Sequence, residues 1–490
     1  MTISLYLLTG ASLLLISIIS SKLGNRWGIP ALLIFLGVGM LTGSDGLNLV
    51  YFDDYEIAQS LGIIALIYIL FSGGLDTRWK KIRPVIVPGI SLSTLGVLVS
   101  ALIVGGAAIW ILDFSILEGI LLGAIVSSTD AAAVFSVLRG KAIGFKYRLK
   151  ELMEFESGTN DPMAIFLALG VIQWMVLPDF GIPDLLILFV LQVAIGLVVG
   201  YLFGKAITWL INNIHLEYEG LYPVLTLALV PLIYSITDLL GGSGFLAVYL
   251  AGLVLGNSNF IHQRSLMNFF DGMGWLMQIT MFLTLGLLVF PNQIMDIWVE
   301  GLIIAGVLIV FARPVSVFIS LMFSSQKSRG KLMVSWAGLR GAVPIIMATF
   351  PLVAGIPNAE LIFSVVFFVV VTSVIIQGPT IPWVARKLHV DTPVIPKTKF
   401  PVEFEPSVDV KSAMKEVEVA EGDPIVGKYV IDLEFPDNSL IVIINRKGKF
   451  LVPRGVTQIQ VGDKLLILAK KEKMHYIRQI IKGEYVPTKS

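Results

Sequence analysis

The stretch FESGTNDPMAIF, residues 155–166, places carboxylate, amide and hydroxyl side chains inside an otherwise apolar segment. Ser157 and Asp161 are four residues apart, so a helix presents both on one face. Asn160 lies beside Asp161, and Glu156 lies beside Ser157. Oxygen atoms of this kind bind protons or hard cations. The stretch therefore predicts a site that holds a small cation or a proton reversibly.

Two further segments combine polar chemistry with poor helix formation. Thr129 and Asp130 lie in VSSTDAA, whose consecutive hydroxyl and carboxylate groups compete for backbone hydrogen bonds and favour caps or breaks. The segment GLRGAVP, residues 338–344, has two glycines and a proline. We predict that Thr129, Ser157 and Asp161 can hold an alkali cation, helped by carbonyl groups freed at a break. Asp130 either caps a helix or ligates the ion, and the sequence leaves both roles open.

The composition places these groups in a membrane. Of 490 residues 56% are hydrophobic and 14% are charged, which is far from the balance of a soluble chain. A charge at the centre of a bilayer costs several kcal/mol, so the ionisable groups that remain there need partners or a function. The absence of cysteine excludes disulfides and thiolate metal sites, and the net charge of +1 gives no indication of nucleic-acid binding.

Apolar segments of about 20 residues are long enough to cross a bilayer. They predict an all-α polytopic membrane protein with about thirteen transmembrane helices. The predicted spans are 3–21, 28–46, 57–73, 84–111, 117–138, 150–175, 184–210, 220–239, 243–257, 270–290, 297–323, 330–352 and 359–386. Lys and Arg concentrate in alternate loops, which predicts an outside N-terminus and a cytoplasmic C-terminus. Two interrupted spans far apart in the chain are typical of secondary transporters with inverted repeats.

The chain changes character near residue 390. Residues 390–405 are rich in proline and charge and are predicted to form a linker after a transmembrane domain at 1–389. Residues 406–490 are predicted to form a small cytosolic α+β domain. In it, SLIVIINRKGKFLVP indicates two strands around a turn, and DKLLILA indicates a third.

The membrane part resembles the monovalent cation/proton antiporters, on the branch of sodium/proton and potassium/proton exchangers. The resemblance rests on STDAAAVFSVLRG at 128–140, FESGTNDPMAIF at 155–166, RP at 313–314 and GLRGAVP at 338–344, in this order and spacing. It implies a homodimer in the lipid bilayer of a cell membrane. It also implies that spans five and twelve are unwound and cross in a core domain, which moves against a scaffold domain.

The same resemblance assigns roles to individual residues. It makes Asp161 the ion-binding and proton-carrying carboxylate, with Asn160 beside it, Thr129 and Asp130 from the unwound part of span five, and Ser157 one turn before Asp161. One carboxylate that binds either a proton or a cation gives obligatory exchange if only the neutralised site reorients. Because Asn160 cannot ionise, the exchange is expected to be electroneutral.

Three further residues are expected to support the site. The resemblance implies a buried structural ion pair between Glu156 and Arg340. It also makes Arg313 a basic position that steadies the core, with a partner that the sequence does not identify.

The tail, 417–469, resembles the C-terminal lobe of the domains that regulate potassium transport, and PRGVTQIQVGD is its most recognisable piece. Such lobes pair across a dimer and can bind a small ligand, sometimes a nucleotide; passive dimerisation is an equal alternative. The partner lobe's G-x-G-x-x-G motif is absent, and no resident cofactor is expected. The lobe favours potassium as the substrate, with sodium left open.

Other classes of protein explain the residues less well. A cation channel usually presents an axial pore of repeated subunits, and a sodium-specific antiporter differs from a potassium antiporter only in the ion chosen. An intramembrane aspartyl protease needs a glycine-aspartate motif that is missing here, so an enzyme is not expected. A receptor would leave Asp161 unexplained.

Overall fold

The structure is a computed structural model that describes residues 3–27, 31–43, 46–141, 143–289, 297–393, 412–470 and 472–483. The chain divides into two compact units. The first comprises residues 1–259 with 265–395, and the second comprises 396–490 with 260–264.

The first unit is built from helices. In chain order they are α1 (Ile3–Trp27), α2 (Ala31–Thr42), α3 (Tyr55–Asp76), α4 (Trp79–Leu112), α5 (Ile116–Ile125), α6 (Ala131–Gly140), α7 (Leu149–Val176), α8 (Ile182–Asn213), α9 (Leu221–Leu239), α10 (Gly244–Gly256), α11 (Gln263–Leu287), α12 (Trp298–Ser320), α13 (Ser328–Trp336), α14 (Ala342–Val353) and α15 (Ala359–Lys387). Within α4 and α12, residues Leu92–Gly96 and Leu308–Ala312 form π-helical turns.

Helix boundaries follow local sequence signals. The Asp54 carboxylate caps α3 by accepting a hydrogen bond from Ile57 N at 2.9 Å. Ser115 and Glu118 form a reciprocal capping box at the start of α5. Ser243 caps α10. These side chains satisfy backbone N–H groups that a helix start leaves without an intrahelical partner.

The predicted spans fall on these helices or on pairs of them. Within the described ranges, six helices are long and apolar enough to cross a membrane: α3, α4, α8, α9, α12 and α15. Shorter apolar helices lie between them, including α2, α5, α10 and α14. The chain is therefore mostly helical with many apolar helices, and the count of thirteen crossings stays a prediction.

Close helix contacts hold α10 between α3 and α8. A Cβ atom added to Gly200 of α8 would lie 2.6 Å from the carbonyl oxygen of Ala247 in α10. One added to Gly74 of α3 would lie 2.9 Å from the backbone nitrogen of Leu253. Small residues allow helix backbones to approach this closely in membranes. The wall formed by α3, α8 and α10 is therefore tightly packed.

A short ribbon lies where the linker was predicted to begin. Strand β1 (Ile143–Phe145) pairs antiparallel with β2 (Asp391–Pro393), and Lys146 N donates to Val390 O at 2.8 Å. The first residues of the predicted linker therefore include a paired strand, Asp391–Pro393. The rest of the predicted linker lies outside the described residues.

The second unit contains a four-stranded antiparallel sheet in the order β3–β6–β4–β5. Its strands are β3 (Ser412–Glu418), β4 (Leu440–Arg446), β5 (Lys449–Leu451) and β6 (Lys464–Lys470), and α16 (Met474–Lys482) follows the last. Apolar side chains of the strands and of α16 form one core, which includes Ile444, Ile467 and Ile477. The three strands read from alternation in the sequence are confirmed.

Candidate functional site

Helical geometry is interrupted between α5 and α6. Residues 126–130 are non-helical, and the side chains of Ser127, Ser128 and Thr129 are buried there. Asp130 Oδ1 accepts a hydrogen bond from Ala133 N at 3.0 Å, so the Asp130 carboxylate caps the start of α6. Of the two roles that the sequence left open for Asp130, the structure contains the capping contact.

A second interruption lies between α13 and α14, at residues 337–341, and it meets the first. Asp130 N donates to Leu339 O at 2.7 Å, which joins the two breaks through their backbones. A Cβ atom on Gly341 would lie 2.5 Å from Asp130 Oδ2, so this approach requires glycine. Irregular backbone at membrane depth is tolerated where protein surrounds it, and here each break supplies part of the other's surroundings.

Helix α15 holds the second break in place. Arg340 N donates to Ser373 Oγ at 3.2 Å, and Ser373 donates to Gln377 Oε1 at 2.6 Å. Gln377 Nε2 in turn donates to Trp336 O at 2.8 Å. Ser373 and Gln377 are fully buried, so this relay satisfies backbone groups that the break removes from helical bonding.

The predicted ion-binding residues of α7 face the first break. Asp161, 8% exposed, accepts a short hydrogen bond from the Ser128 hydroxyl. Asn160 Nδ2 donates to Thr129 Oγ1 at 2.6 Å. Ser157 Oγ donates to Thr129 O at 2.9 Å and accepts from Ala131 N at 3.1 Å.

The residues predicted as the ion site, Asp161, Asn160, Asp130, Thr129 and Ser157, are therefore brought together. No ion pair joins Asp161 to a basic side chain in the part of the chain that the structure describes. A buried carboxylate without a counter-ion is costly unless a proton or a cation neutralises it.

Pro162 adds a further polar group to the same surface. It lies inside α7 and has no N–H, so it cannot make the intrahelical hydrogen bond to the carbonyl of Gly158. Gly158 lines the cavity beside Asp161. The helix therefore contributes a backbone oxygen without its usual donor, as well as side-chain oxygens.

A cavity of about 220 Å³ opens onto Asp161. One wall carries the residues of the first break and of α7, and Gly341 and Ala342 adjoin them. Residues of α3, α10 and α11 and the residue after α3 also line the cavity, namely Asp76, Thr77, Tyr249, Gln278 and Met281. The volume accommodates several water molecules, and hence a hydrated alkali cation.

The buried ion pair differs from the predicted one. Glu156 Oε1 lies 2.6 Å from Arg313 Nη2, and both side chains are almost completely buried. The contact is an ion pair without hydrogen-bond alignment at that oxygen. The predicted pairing of Glu156 with Arg340 is therefore wrong, and the unidentified partner of Arg313 is Glu156.

Arg340 has another task. Its Nη1 atom donates to the carbonyl oxygens of Ser127 and Ser128, each at 2.6 Å. These carbonyls belong to the first break, where helical donors are missing. A guanidinium group presents several donors in a fixed fork, so it can bind two carbonyls at once. Arg340 thus stabilises the break that carries the Asp161 partner Ser128.

Sequence reasoning missed Ser128, Ser373, Gln377 and Tyr249. Ser128 was noted only as one of a run of hydroxyl residues, although its hydroxyl is the donor to Asp161. Polar residues inside the last span were the available signal for Ser373 and Gln377. Tyr249 lies in an apolar span, where no sequence signal separates a cavity residue from a packing residue.

Comparison with known proteins identifies the membrane part. Residues 10–387 match the family model described as "Sodium/hydrogen exchanger, transmembrane". The chain belongs to the sodium/hydrogen exchanger family. Residues 414–482 match the TrkA-C domain. Both resemblances inferred from sequence motifs are confirmed.

Related proteins extend over nearly the whole chain. It is 40% identical over 484 residues to the K(+)/H(+) antiporter NhaP2 of Shewanella sp. (strain ANA-3), which covers 98% of this chain and 83% of the relative. It is 40% identical over 475 residues to the K(+)/H(+) antiporter NhaP of Alkalimonas amylolytica, covering 96% and 82%.

A solved structure shares the fold of the membrane part. The sodium proton antiporter MjNhaP1 from Methanocaldococcus jannaschii at pH 8 superposes with a TM-score of 0.69 and 26% identity. The match covers 79% of this chain and 98% of that one. The chain is thus a multi-pass membrane protein with a cation/proton antiporter fold, and its family is one of transporters.

Proposed function

We propose that this protein exchanges potassium for protons across the bacterial inner membrane, one ion for one proton, at Asp161. The activity class, monovalent cation/proton exchange, is that of the family to which the chain belongs. The choice of potassium is supported by relatives that are named K(+)/H(+) antiporters and are 40% identical over nearly the whole chain.

The exchange mechanism is inferred from the surroundings of the Asp161 carboxylate. Its carboxylate is buried beside a cavity, accepts one hydroxyl hydrogen bond and lacks an ion pair with any described basic residue. An ionised carboxylate in this setting is neutralised by a proton or by a bound cation. Because both neutralise the same group, binding of one excludes the other, and this competition couples their transport.

The charges around the two breaks support electroneutral exchange. Asp130, Asp161 and Glu156 supply three carboxylates, and Arg313 and Arg340 supply two guanidinium groups. With all five ionised, the group carries one net negative charge. A single proton or a single monovalent cation therefore makes it neutral in either loaded state. A core that reorients only when neutral moves no net charge.

The order of elements supports an internal repeat. A long helix with a π-helical turn, an interrupted helix and a second long helix occur as α4, α5–α6 and α7. The same order recurs as α12, α13–α14 and α15, roughly 210 residues later. We infer that these are the inverted repeats of a secondary transporter, that the two interrupted helices cross at the ion site, and that the chain has thirteen spans.

Loop charges support the orientation, with the N-terminus outside and the tail in the cytoplasm. A homodimer, a membrane domain ending near residue 389 and a cytosolic domain over 406–490 that binds a small regulator, such as a nucleotide, complete the proposal. The TrkA-C match supports the identity of this domain but leaves its ligand a prediction.

Sodium is the second candidate ion. The Na(+)/H(+) antiporter NhaG of Bacillus atrophaeus is 30% identical over 311 residues, covering 60% of this chain. MjNhaP1 is named a sodium proton antiporter. Both matches are weaker or shorter than those to the potassium antiporters, which favours potassium.

The test uses purified protein in liposomes that contain a pH-sensitive dye. With a proton gradient imposed, addition of potassium or sodium is expected to dissipate the gradient in the wild type. Asp161→Asn is expected to lower this rate at least 100-fold, since it removes the group for which both ions compete. Asp238→Asn, which changes an aspartate at the end of α9, is the matched control and is expected to retain exchange.

The more effective cation identifies the substrate. Rates that do not change under an imposed membrane potential support one-for-one exchange. If the wild type exchanges ions and Asp161→Asn is equally active, the mechanism is contradicted. A cation current that follows the membrane potential without proton movement identifies a channel.

A further inference from the structure

Tyr249 lines the same cavity as Asp161. It belongs to α10, which packs mainly against α3, α8 and α9 and only marginally against α7. The side chain is 4% exposed and lines the cavity. Its hydroxyl makes no hydrogen bond of acceptable geometry in the described part of the chain, although the Thr77 side chain is a neighbour. A buried phenol usually satisfies its hydroxyl, so this oxygen, with Thr77 as its polar neighbour, retains capacity for a further ligand.

A glycine on α7 allows this oxygen to lie close to the helix that carries Asp161. A Cβ atom on Gly158 would lie 2.5 Å from Tyr249 Cε2 and 2.9 Å from Tyr249 Oη. Gly158 precedes Asp161 by three residues and therefore shares its helix face. The ring consequently packs against α7 within one turn of the ion-binding carboxylate, in space that any larger residue at position 158 would fill.

The oxygens on the α7 side are partly committed to protein partners. Ser157 Oγ both donates and accepts a hydrogen bond, and Thr129 Oγ1 accepts one from Asn160. Asp161 accepts one from Ser128. An alkali cation needs several oxygen ligands, and a larger cation takes more of them. Further oxygen ligands for a cation would therefore come from the other helices that line the cavity.

We propose that Tyr249 Oη is a selectivity-determining ligand of the transported cation, in direct contact or through one water molecule. It supplies a neutral oxygen from α10 that supplements the charged oxygen of Asp161. Number and strength of ligands decide between alkali ions. Because potassium is larger than sodium and takes more ligands, the phenol oxygen favours potassium. This inference rests on the proposed function and deepens it.

The test compares Tyr249→Phe with the wild type in the liposome exchange assay. The substitution removes one oxygen and keeps the ring. We expect the potassium concentration for half-maximal exchange to rise about 3–10-fold, as loss of one polar contact implies. The value for sodium and the maximal rate are expected to change less, so the preference for potassium over sodium falls.

The matched control is Tyr234→Phe. Tyr234 lies in the adjacent helix α9, with its ring 4.9 Å from that of Phe245, and it does not line the cavity. Removal of its hydroxyl is expected to leave the potassium-to-sodium preference unchanged. An equal shift in Tyr249→Phe and Tyr234→Phe would overturn the proposal, because the effect would then not depend on the cavity.

Gly158→Ala gives an independent route to the same result. The added methyl group pushes the Tyr249 ring away from α7. The preference for potassium over sodium is therefore expected to fall, as in Tyr249→Phe. If Tyr249→Phe does not fold, Gly158→Ala provides the test. A lower preference for potassium over sodium supports the proposal, and an unchanged preference overturns it. If the wild type exchanges ions and Tyr249→Phe leaves the preference for potassium unchanged, this inference is overturned but the proposed function stands. Absence of exchange in the wild type overturns the proposed function, and this inference with it.

Discussion

Two buried aspartates, one in each unit, differ in how the fold treats them. Asp463 in the sheet domain is fully buried and accepts hydrogen bonds from Arg446 Nε and Nη2, each at 2.8 Å, and from Gln460 N at 2.9 Å. The hydrogen bond to Asp463 raises the pKa of Arg446. Asp161 in the membrane part is nearly as buried, but within the described residues it accepts a hydrogen bond only from the Ser128 hydroxyl.

Under the proposed function, this difference separates a structural carboxylate from a transport carboxylate. Both carboxylates are buried, but they differ in the hydrogen-bond donors that the described residues place around them. Asp463 receives its hydrogen bonds from the fold itself, including two from a guanidinium group. Asp161 is left with capacity that a proton or a cation can take up. The number of hydrogen-bond donors that the protein places around a buried carboxylate thus indicates its role better than its degree of burial does.

The pair Glu156–Arg313 makes the comparison sharper, since Glu156 is a buried carboxylate of the membrane part that has an ionic partner. Arg313→Ala is expected to destabilise the protein by about 3–5 kcal/mol, because it leaves the Glu156 charge buried and unpaired. Thermal unfolding of the purified protein in detergent measures this. The double variant with Glu156→Gln is expected to recover part of the loss. A double variant no more stable than Arg313→Ala would contradict the pairing.

Asp463→Asn tests the other side of the comparison. It leaves Arg446 without its ionic partner and is expected to cost the sheet domain about 2 kcal/mol. Hydrogen exchange of the full chain measures this as lost protection in β4 and β6, with α7 unchanged. Asp437→Asn, at an exposed position, is the control. Unchanged protection in Asp463→Asn would show that Asp463 is not a structural carboxylate.

The smallest effect is expected at Asp423, whose carboxylate lies 2.7 Å from Lys482 Nζ near the surface. Burial raises the pKa of Asp423, but hydrogen bonds from Lys482 and Ala420 N–H lower it to a net value below the usual range. A lowered pKa stabilises the folded state above about pH 4, and this contribution is lost as pH falls through the folded pKa.

Asp423→Asn is therefore expected to cost about 0.5 kcal/mol at neutral pH, with the difference from the wild type closing in acid. Hydrogen exchange of β3 and α16 at several pH values measures it, and Glu421→Gln at an exposed position is the control. A difference that grows as pH falls would have the wrong sign for this explanation.

Much of the site could be predicted from sequence because its signals are local. Hydroxyl residues and an aspartate in VSSTDAA, and glycines and proline in GLRGAVP, oppose helix formation wherever they occur. Spacing of four residues places Ser157 and Asp161 on one face of any helix. Alternation along a strand likewise identifies the sheet of the tail.

The contacts between helices could not be predicted in this way. Arg313 and Arg340 both lie in apolar spans, and sequence gives their depth but not the rotation that decides which one meets Glu156. Ser128 lies in a non-helical segment, where helical spacing does not define the direction of a side chain. Tyr249 becomes part of the site only through the space that Gly158 leaves.

The hydrogen bond from Asp130 N to Leu339 O has a consequence for protein engineering. The two breaks are more than 200 residues apart in the chain, yet each completes the backbone bonding of the other, with Arg340 reaching across to Ser127 and Ser128. The two breaks therefore form one structural unit that is encoded by two distant segments of the chain. A chimaera that exchanges either segment with a relative must exchange both, because a new sequence in one would face a mismatched partner in the other.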